Sequence, residues 1–445
     1  MRDNDKQRTD KGRVDRRSFL RAGTASIAGI ALAGCSGDGG GGDGSGGGGG
    51  GTNGGGDGSG GGGGGTSDGG DGSSGTTTQS LDKTSEVESV EQKLPDYYPD
   101  DYWRTLRKAQ QEGSITLYTS HFGSLSESYV KAFNEFCPWI DVQVVNLPTA
   151  KVFQRFSSEA AQGVWEPDLV HTYDAVALAQ MNRQNILTNY DSPEKEHYAD
   201  KWKSDDGTIL ASHYNPYANA WHPPDMSDPP MSLEALAARI EDNPSEWKEN
   251  FAMYDGQLST SMWQTMLQWQ QVYGKETMKS HLKTLASASP KTFWSTSTMG
   301  GWVAKGEVQY GIALAHFILD AYIAPDYSED QIQWAGAEDI ISNIFLGGYQ
   351  VVGKPSNPNA ARVFFDWFNS PRAQVWFANN WNIVTTHDQV SASDIEATFS
   401  GLGKLTHENI SSQTKFVNGY DKLSSSGTEK SDLKSMWYRL FVGGG

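Results

Sequence analysis

Residues 113–136 read GSITLYTSHFGSLSESYVKAFNEF. Ser114 to Tyr118 alternates and is rich in strand formers, which predicts a short strand. Thr119, Ser120, His121 and Gly123 are small or polar and suit a turn. From Ser124 the apolar residues Leu125, Tyr129, Ala132, Phe133 and Phe136 recur at helical spacing. The first turn of a helix offers unpaired N–H groups and the positive end of the dipole. In open α/β sheets the ligand crevice lies beyond the carboxyl ends of the strands. Thr119 to Ser124 therefore reads as one wall of such a crevice.

The unit repeats. Asp141 to Asn146 (DVQVVN) predicts a second strand, followed by Pro148-Thr149-Ala150 and a helix to about Ala161. Pro167 to His171 predicts a third, followed by Thr172-Tyr173-Asp174 and a helix to about Asn182. Three strand–helix units in seventy residues argue for an α/β fold with a parallel sheet.

Upstream of this core the chain changes character. Asp15-Arg16-Arg17-Ser18-Phe19-Leu20-Arg21 has the pattern of a twin-arginine export signal. Ala22 to Ala33 is a run of small, weakly apolar residues, shorter than the ~20 that span a bilayer. It ends in Leu32-Ala33-Gly34-Cys35, which resembles a lipobox, with Cys35 as the lipidated residue. The alternative is a chance cysteine in a leader. Residues 36–78 are almost all Gly, Ser, Asp and Thr and supply no core. About forty such residues span roughly 35 Å, which makes a tether behind an anchor. Residues 79–98 are polar and read as a loose continuation, with the globular part starting near Asp100.

Met1 to Gly34 holds eight Lys/Arg and four Asp/Glu, leaving 28 basic and 50 acidic residues beyond it. That surface repels nucleic acid and anionic membrane, and it suits solubility in high salt. Two cysteines make no disulfide framework.

Downstream, Thr208 to Ser212 and Ala218 to Trp221 predict short strands around His213-Tyr214-Asn215-Pro216, a crossing between lobes. Asn250 to Tyr254 predicts a strand, and Leu258-Ser259-Thr260-Ser261 opens an aromatic-rich helix to Tyr273. Ser295 to Thr298 precedes a helix to Lys305, and Glu307 to Leu314 predicts another strand. Gln331–Trp334 and Gly347–Val352 read as strands that return to the first lobe. Two amphipathic helices follow over 357–369 and 371–381, and Leu433 to Val442 reads as a docked terminal helix.

These pieces carry a resemblance. GSITLYTSHF (113–122), WEPDLVHTYDA (165–175), NPSEWKENFAMYDG (243–256), AKGEVQYGIAL (304–314) and KPSNPNAARVFFDWFNSPRAQ (354–374) stand in family order over about 110–385. The chain resembles the extracellular solute-binding proteins of ABC importers, in the branch with ferric-ion, thiamine, phosphonate and polyamine binders. The leader and acidic composition resemble secreted lipoproteins of halophilic archaea. The resemblance implies a type II periplasmic-binding-protein-like fold, α/β with two lobes and the ligand cleft between them. It implies hinge closure on a small solute and docking on a membrane permease. It also implies a monomer without a cofactor. The expected layout is a signal over 1–34, a lipidated tether over 35–98, lobe 1 over 99–213 and 320–395, lobe 2 over 214–319, and a C-terminal extension over 396–445.

The candidate ligand residues sit at strand ends and helix starts. On lobe 1 they are Ser120, His121, Thr149, Tyr173 and Asp174, and on the crossing Tyr214 and Asn215. On lobe 2 they are Ser259, Thr260, Ser261, Trp263, Ser295, Thr296 and His316. Hydroxyls beside free helix N–H groups suit a negative group. Each has a plain alternative: Thr149, Asp174 and the serine clusters as helix caps, His121 as a turn histidine, Trp263 as core. Ferric relatives carry two adjacent tyrosines after the strand matching Glu307 to Leu314. Here those places hold His316 and Phe317, a poor match to a hard cation, so no metal is expected. An organic or anionic solute is the first reading. A ferric-iron importer subunit, or a sensor or surface hydrolase on the same fold, is the alternative. No nucleophile elbow, P-loop or zinc spacing is present.

Overall fold

The computed structural model describes residues 82–339, 342–343, 348–399, 403–404, 408 and 419–443. Arg16, Arg17, Cys35 and the glycine-rich stretch lie outside the described residues.

Helix α1 (Ser85–Glu91) and helix α2 (Trp103–Glu112) precede the first strand. Gly113 ends α2 at φ 73°, a left-handed position that suits glycine. Strand β1 (Ser114–Thr119) then leads into α3 (Gly123–Phe136). Strand β2 (Asp141–Asn146) leads into α4 (Thr149–Ala161), and β3 (Leu169–His171) into α5 (Ala175–Arg183). Strand β1 pairs in parallel with both neighbours, with Ser114 opposite Asp141 and Leu117 opposite Leu169. The buried stripe of α3 holds Leu125, Tyr129, Phe133 and Phe136 as expected from their spacing, with Ser126 buried beside them and Ala132 only partly buried.

Strand β4 (His213–Trp221) is one nine-residue strand, where short separate pieces were expected. It changes partners along its length, which marks it as the crossing. The lobe-2 chain continues with α6 (Leu233–Asp242), β5 (Phe251–Tyr254), α7 (Thr260–Tyr273) and α8 (Lys275–Ser287). Then come β6 (Lys291–Phe293), α9 (Thr296–Ala304) and β7 (Tyr310–Ala315), followed by one helical turn at His316–Ile318 and a π turn at Leu319–Ile323. Strands β8 (Gln333–Gly336) and β9 (Ser342–Asn343) follow. The chain returns to lobe 1 through β10 (Gln350–Val351), α10 (Pro358–Asn369), α11 (Pro371–Trp381) and β11 (Val384–Thr385). Helices α12 (Tyr420–Ser425) and α13 (Gly427–Phe441) close the chain.

The first sheet runs β10-β3-β1-β2, with β10 antiparallel to β3. The second runs β11-β4-β7-β5-β6, with β8 and β9 also on β4. Strands β5, β6 and β7 are parallel to one another and antiparallel to β4.

Two boundaries differ from the expected layout. Residues 85–98 are not loose: Val87 and Val90 on α1 are buried, and so is Tyr98. Tyr97 and Tyr98 donate to the buried carboxylate of Glu194, and Tyr102 donates to Asp366 at 2.6 Å. Two valines and three tyrosines in a polar stretch thus anchor it through acids far along the chain. Lobe 2 extends past 319, because β8 pairs with Ala218–Trp221 of β4 rather than returning to lobe 1. The C-terminal extension joins the lobes: α12 packs on α5 of lobe 1, and α13, which takes in the terminal helix expected over Leu433 to Val442, on α7 and α8 of lobe 2.

Candidate ligand cleft

On the lobe-1 wall the ends of β1 and β3 bring two histidines together. The rings of His121 and His171 stack at 3.7 Å and 12°. Thr119 Oγ1 lies 3.0 Å from His121 Nδ1 and 3.2 Å from His171 Nδ1. Tyr129 and Tyr349, hydroxyl to hydroxyl, close the back, and Tyr173 sits edge-on to both imidazoles. Ser120 Oγ accepts the Tyr173 N–H at 3.2 Å, which fixes the turn. Burial, with His171 and His213 beside it, holds His121 well below the ordinary histidine range. Burial takes His213 down to about 3. His121 and His213 are therefore neutral at pH 7. The Nε2 of His121 is buried without a hydrogen-bond partner among the described residues.

On the lobe-2 wall, Tyr254 closes β5 and bonds Thr296 in the first turn of α9. The Ala315 N–H at the end of β7 points to both hydroxyls at 3.4 Å. Ser261 of α7 lies against the hydroxyls of Tyr217 and Tyr254, and Thr265 against that of Tyr217. Hydroxyls from β4, β5, α7 and α9 thus converge at the carboxyl ends of the strands.

The two lobes touch. Phe122 stacks on Phe317 at 5.9 Å, and Ser124 bonds Tyr322. Asn382 of lobe 1 bonds Asp320, and Lys430 pairs with Asp174 of lobe 1 while lying 5.6 Å over the Trp263 ring of lobe 2. The arrangement is a closed one.

The expected site residues divide between walls and scaffold. Ser120, His121 and Tyr173 form the lobe-1 wall; Ser261 and Thr296 form the lobe-2 wall, with Ser259 buried at the start of α7. Thr260 and Ser261 occupy the first turn of α7. Asp174 is instead the cap of α5, accepting from the Val176 and Ala177 N–H groups, and the partner of Lys430. Ser295 caps α9 by accepting from the Thr298 N–H. Tyr214 points away from the cleft, stacked on Trp202 at 5.4 Å, because alternate β4 residues face opposite ways. Asn215 is on the other β4 face, with Tyr217. Thr149 begins α4, and its carbonyl accepts from Thr172. Trp263 is wholly buried. His316 is buried, pushed down to about 3 by burial, 3.5 Å from Asp320.

Sequence reasoning missed His171, His213, Tyr217, Gln264 and Thr265. His171 ends β3 in register with Thr119 at the end of β1, two residues before His121, so its place at a strand end was the available signal. Among the described residues no group of three or more His, Cys, Asp or Glu is set to hold a metal. No helix among them is long and apolar enough to cross a membrane.

The fold decides what the chain is similar to. The fold is that of the type II periplasmic binding proteins. A substrate-binding protein of an ABC transporter from Agrobacterium tumefaciens superposes with a TM-score of 0.62 at 17% identity, over 75% of this chain and 96% of that one. Iron-bound HitA from Pseudomonas aeruginosa gives 0.58 at 16%, over 74% and 99%. The periplasmic binding protein AfuA from Actinobacillus pleuropneumoniae, with fructose-6-phosphate bound, gives 0.56 at 15%, over 74% and 98%. No family model and no curated protein matches the chain. At these identities the likeness establishes architecture. The type II fold implied by the family resemblance is the one found, and its parallel sheet is the one expected from the strand–helix repeat.

Proposed function

We propose that this chain captures a small solute outside the cell and delivers it to an ABC-type permease. The observation that carries this reading is the meeting of two polar walls, His121 with Tyr173 from lobe 1 and Tyr254 with Ser261 and Thr296 from lobe 2, across a seam that a hinge can open. Structural neighbours named as binding proteins support it.

The leader extends the reading. Arg16 and Arg17 direct export, Cys35 carries a lipid, and residues 36–78 hold the lobes off the outer face of the cell membrane. The protein works as a monomer, one solute per chain, without a cofactor. Iron is disfavoured because Phe317, at one of the two places where ferric relatives hold tyrosine, packs on Phe122.

A thermal-shift screen in high salt tests the reading. A solute bound only by the folded state adds about 2.7 kcal/mol of stability at a hundredfold excess over Kd. The expected result is a shift with one solute class and recovery of that solute unchanged. Chemical conversion of the solute would move the protein to the enzymes, and a panel with no shift would remove the transport reading.

A further inference from the structure

Helix α7 departs from the pattern of a buried helix. Met262 to Trp269 are buried on every side. Yet Ser261, Gln264, Thr265 and Gln268 recur at i, i+3, i+4 and i+7, a polar stripe where an apolar one belongs. The stripe faces the cleft floor: Ser261 lies beside the Tyr254 and Tyr217 hydroxyls and Thr265 beside Tyr217, and neither Tyr217 Oη nor Thr265 Oγ1 has a hydrogen-bond partner among the described residues. Gln264 is 1% exposed, and neither its amide nitrogen nor its amide oxygen has a partner among the described residues. Asn215, two residues from Tyr217 on the same β4 face, buries an unpartnered Oδ1. His213 is two residues further along that face and sits close enough to His121 to depress its pKa. The polar line therefore runs from the His121 Nε2 of lobe 1, along β4, to Gln264 of lobe 2.

Buried polar groups that stay unpaired destabilise the fold, so a line of them implies a polar occupant. Its hydrogen-bonding character selects that occupant. Gln264 Oε1 and Asn215 Oδ1 only accept, and Gln264 Nε2 only donates. An anion needs donors alone, so two unpaired acceptors repel it. A cation needs acceptors alone, so the unpaired N–H donor of Gln264 Nε2 disfavours it. A hydroxyl both donates and accepts, and satisfies such a mixed set. Lys430 at the rim is already neutralised by Asp174.

We propose that the cargo is an uncharged, hydroxyl-rich small molecule, a polyol or monosaccharide, held between Gln264 and His121. This rests on the solute-capture reading above and names its substrate class.

The test is calorimetric titration and thermal shift of the full chain with myo-inositol, sorbitol, glucose and fructose, against inorganic phosphate, sulfate, fructose-6-phosphate and Fe(III)-citrate. At least one uncharged polyol is expected to bind. Gln264→Leu should weaken that binding by about a hundredfold, while the unliganded variant melts no lower than the parent, because an unpaired amide has been replaced by an apolar group. Gln264→Met gives the same comparison if leucine does not fit, and His121→Gln should weaken binding about tenfold from the opposite wall. Binding of the charged probes alone would overturn this inference and leave solute capture standing. Polyol binding unchanged within threefold in both Gln264 variants would also overturn it. Binding of nothing in either group would remove both readings.

Discussion

Asp366 shows how one buried carboxyl makes stability depend on pH. Tyr102, Tyr190 and Ser192 all donate to it, at 2.6, 2.7 and 2.5 Å. Burial nevertheless pushes its pKa up to about 7. A carboxyl whose folded pKa is raised favours the folded state in its protonated form. Its contribution is therefore complete below about pH 4 and is lost as pH rises through 7. The loss is on the order of 2–4 kcal/mol. Urea unfolding of Asp366→Asn should show a flatter dependence between pH 4 and 7.5 than the parent; an equal slope would place the titration elsewhere. The cleft histidines behave oppositely. His121 lies well below its ordinary range and His213 at about 3, so neither changes charge between pH 5.5 and 8. Solute affinity should be constant over that range, and a tenfold change in titration calorimetry would contradict the neutral wall.

Among the elements, α10 depends on a distant residue for its start. Glu112, the last residue of α2, accepts from the Asn359 and Ala360 N–H groups at 2.8 and 2.7 Å and from the Asn359 amide at 2.6 Å. A carboxylate there satisfies orphan donors and sits at the positive end of the helix dipole. Glu112→Gln should lower stability by about 1 kcal/mol in urea unfolding without altering solute affinity. This dependence also marks what a sequence conveys about elements. Strand–helix units are local, so periodicity placed β1, β2, β3 and the buried face of α3. Pairing between distant segments is not local. Nothing in Gln333–Gly336 says that its partner is β4 in lobe 2, and nothing in Tyr97 or Tyr98 points to Glu194. The cleft was half legible for the same reason. Helix starts such as Ser261 and Thr296 carry a positional signal. Gln264 carries one only when burial shows that a polar stripe faces inward.

For the whole molecule, the lobes are linked by β4, by the return through β8 to β10, and by the terminal helices. Lys430 of α13 joins Asp174 of lobe 1 to the Trp263 ring of lobe 2, and the buried Trp437 fills the space over Gly256. Of these, the Lys430–Asp174 pair exists only while the lobes are together, so it biases the hinge toward closure. Lys430→Met should widen the unliganded molecule in small-angle scattering and weaken solute binding by about five- to tenfold. An unchanged radius of gyration would show that α13 rides with lobe 2 and leaves the hinge free.

The stacked pair Phe122 and Phe317 bears on colour. Fe(III) absorbs visible light strongly when a phenolate donates electron density to it. A benzyl ring at 317 offers no oxygen, and burial raises the neighbouring Tyr322 to about 12. A concentrated solution of this protein mixed with ferric citrate should gain no visible band beyond the colour of ferric citrate itself, read as a difference spectrum against the same citrate without protein.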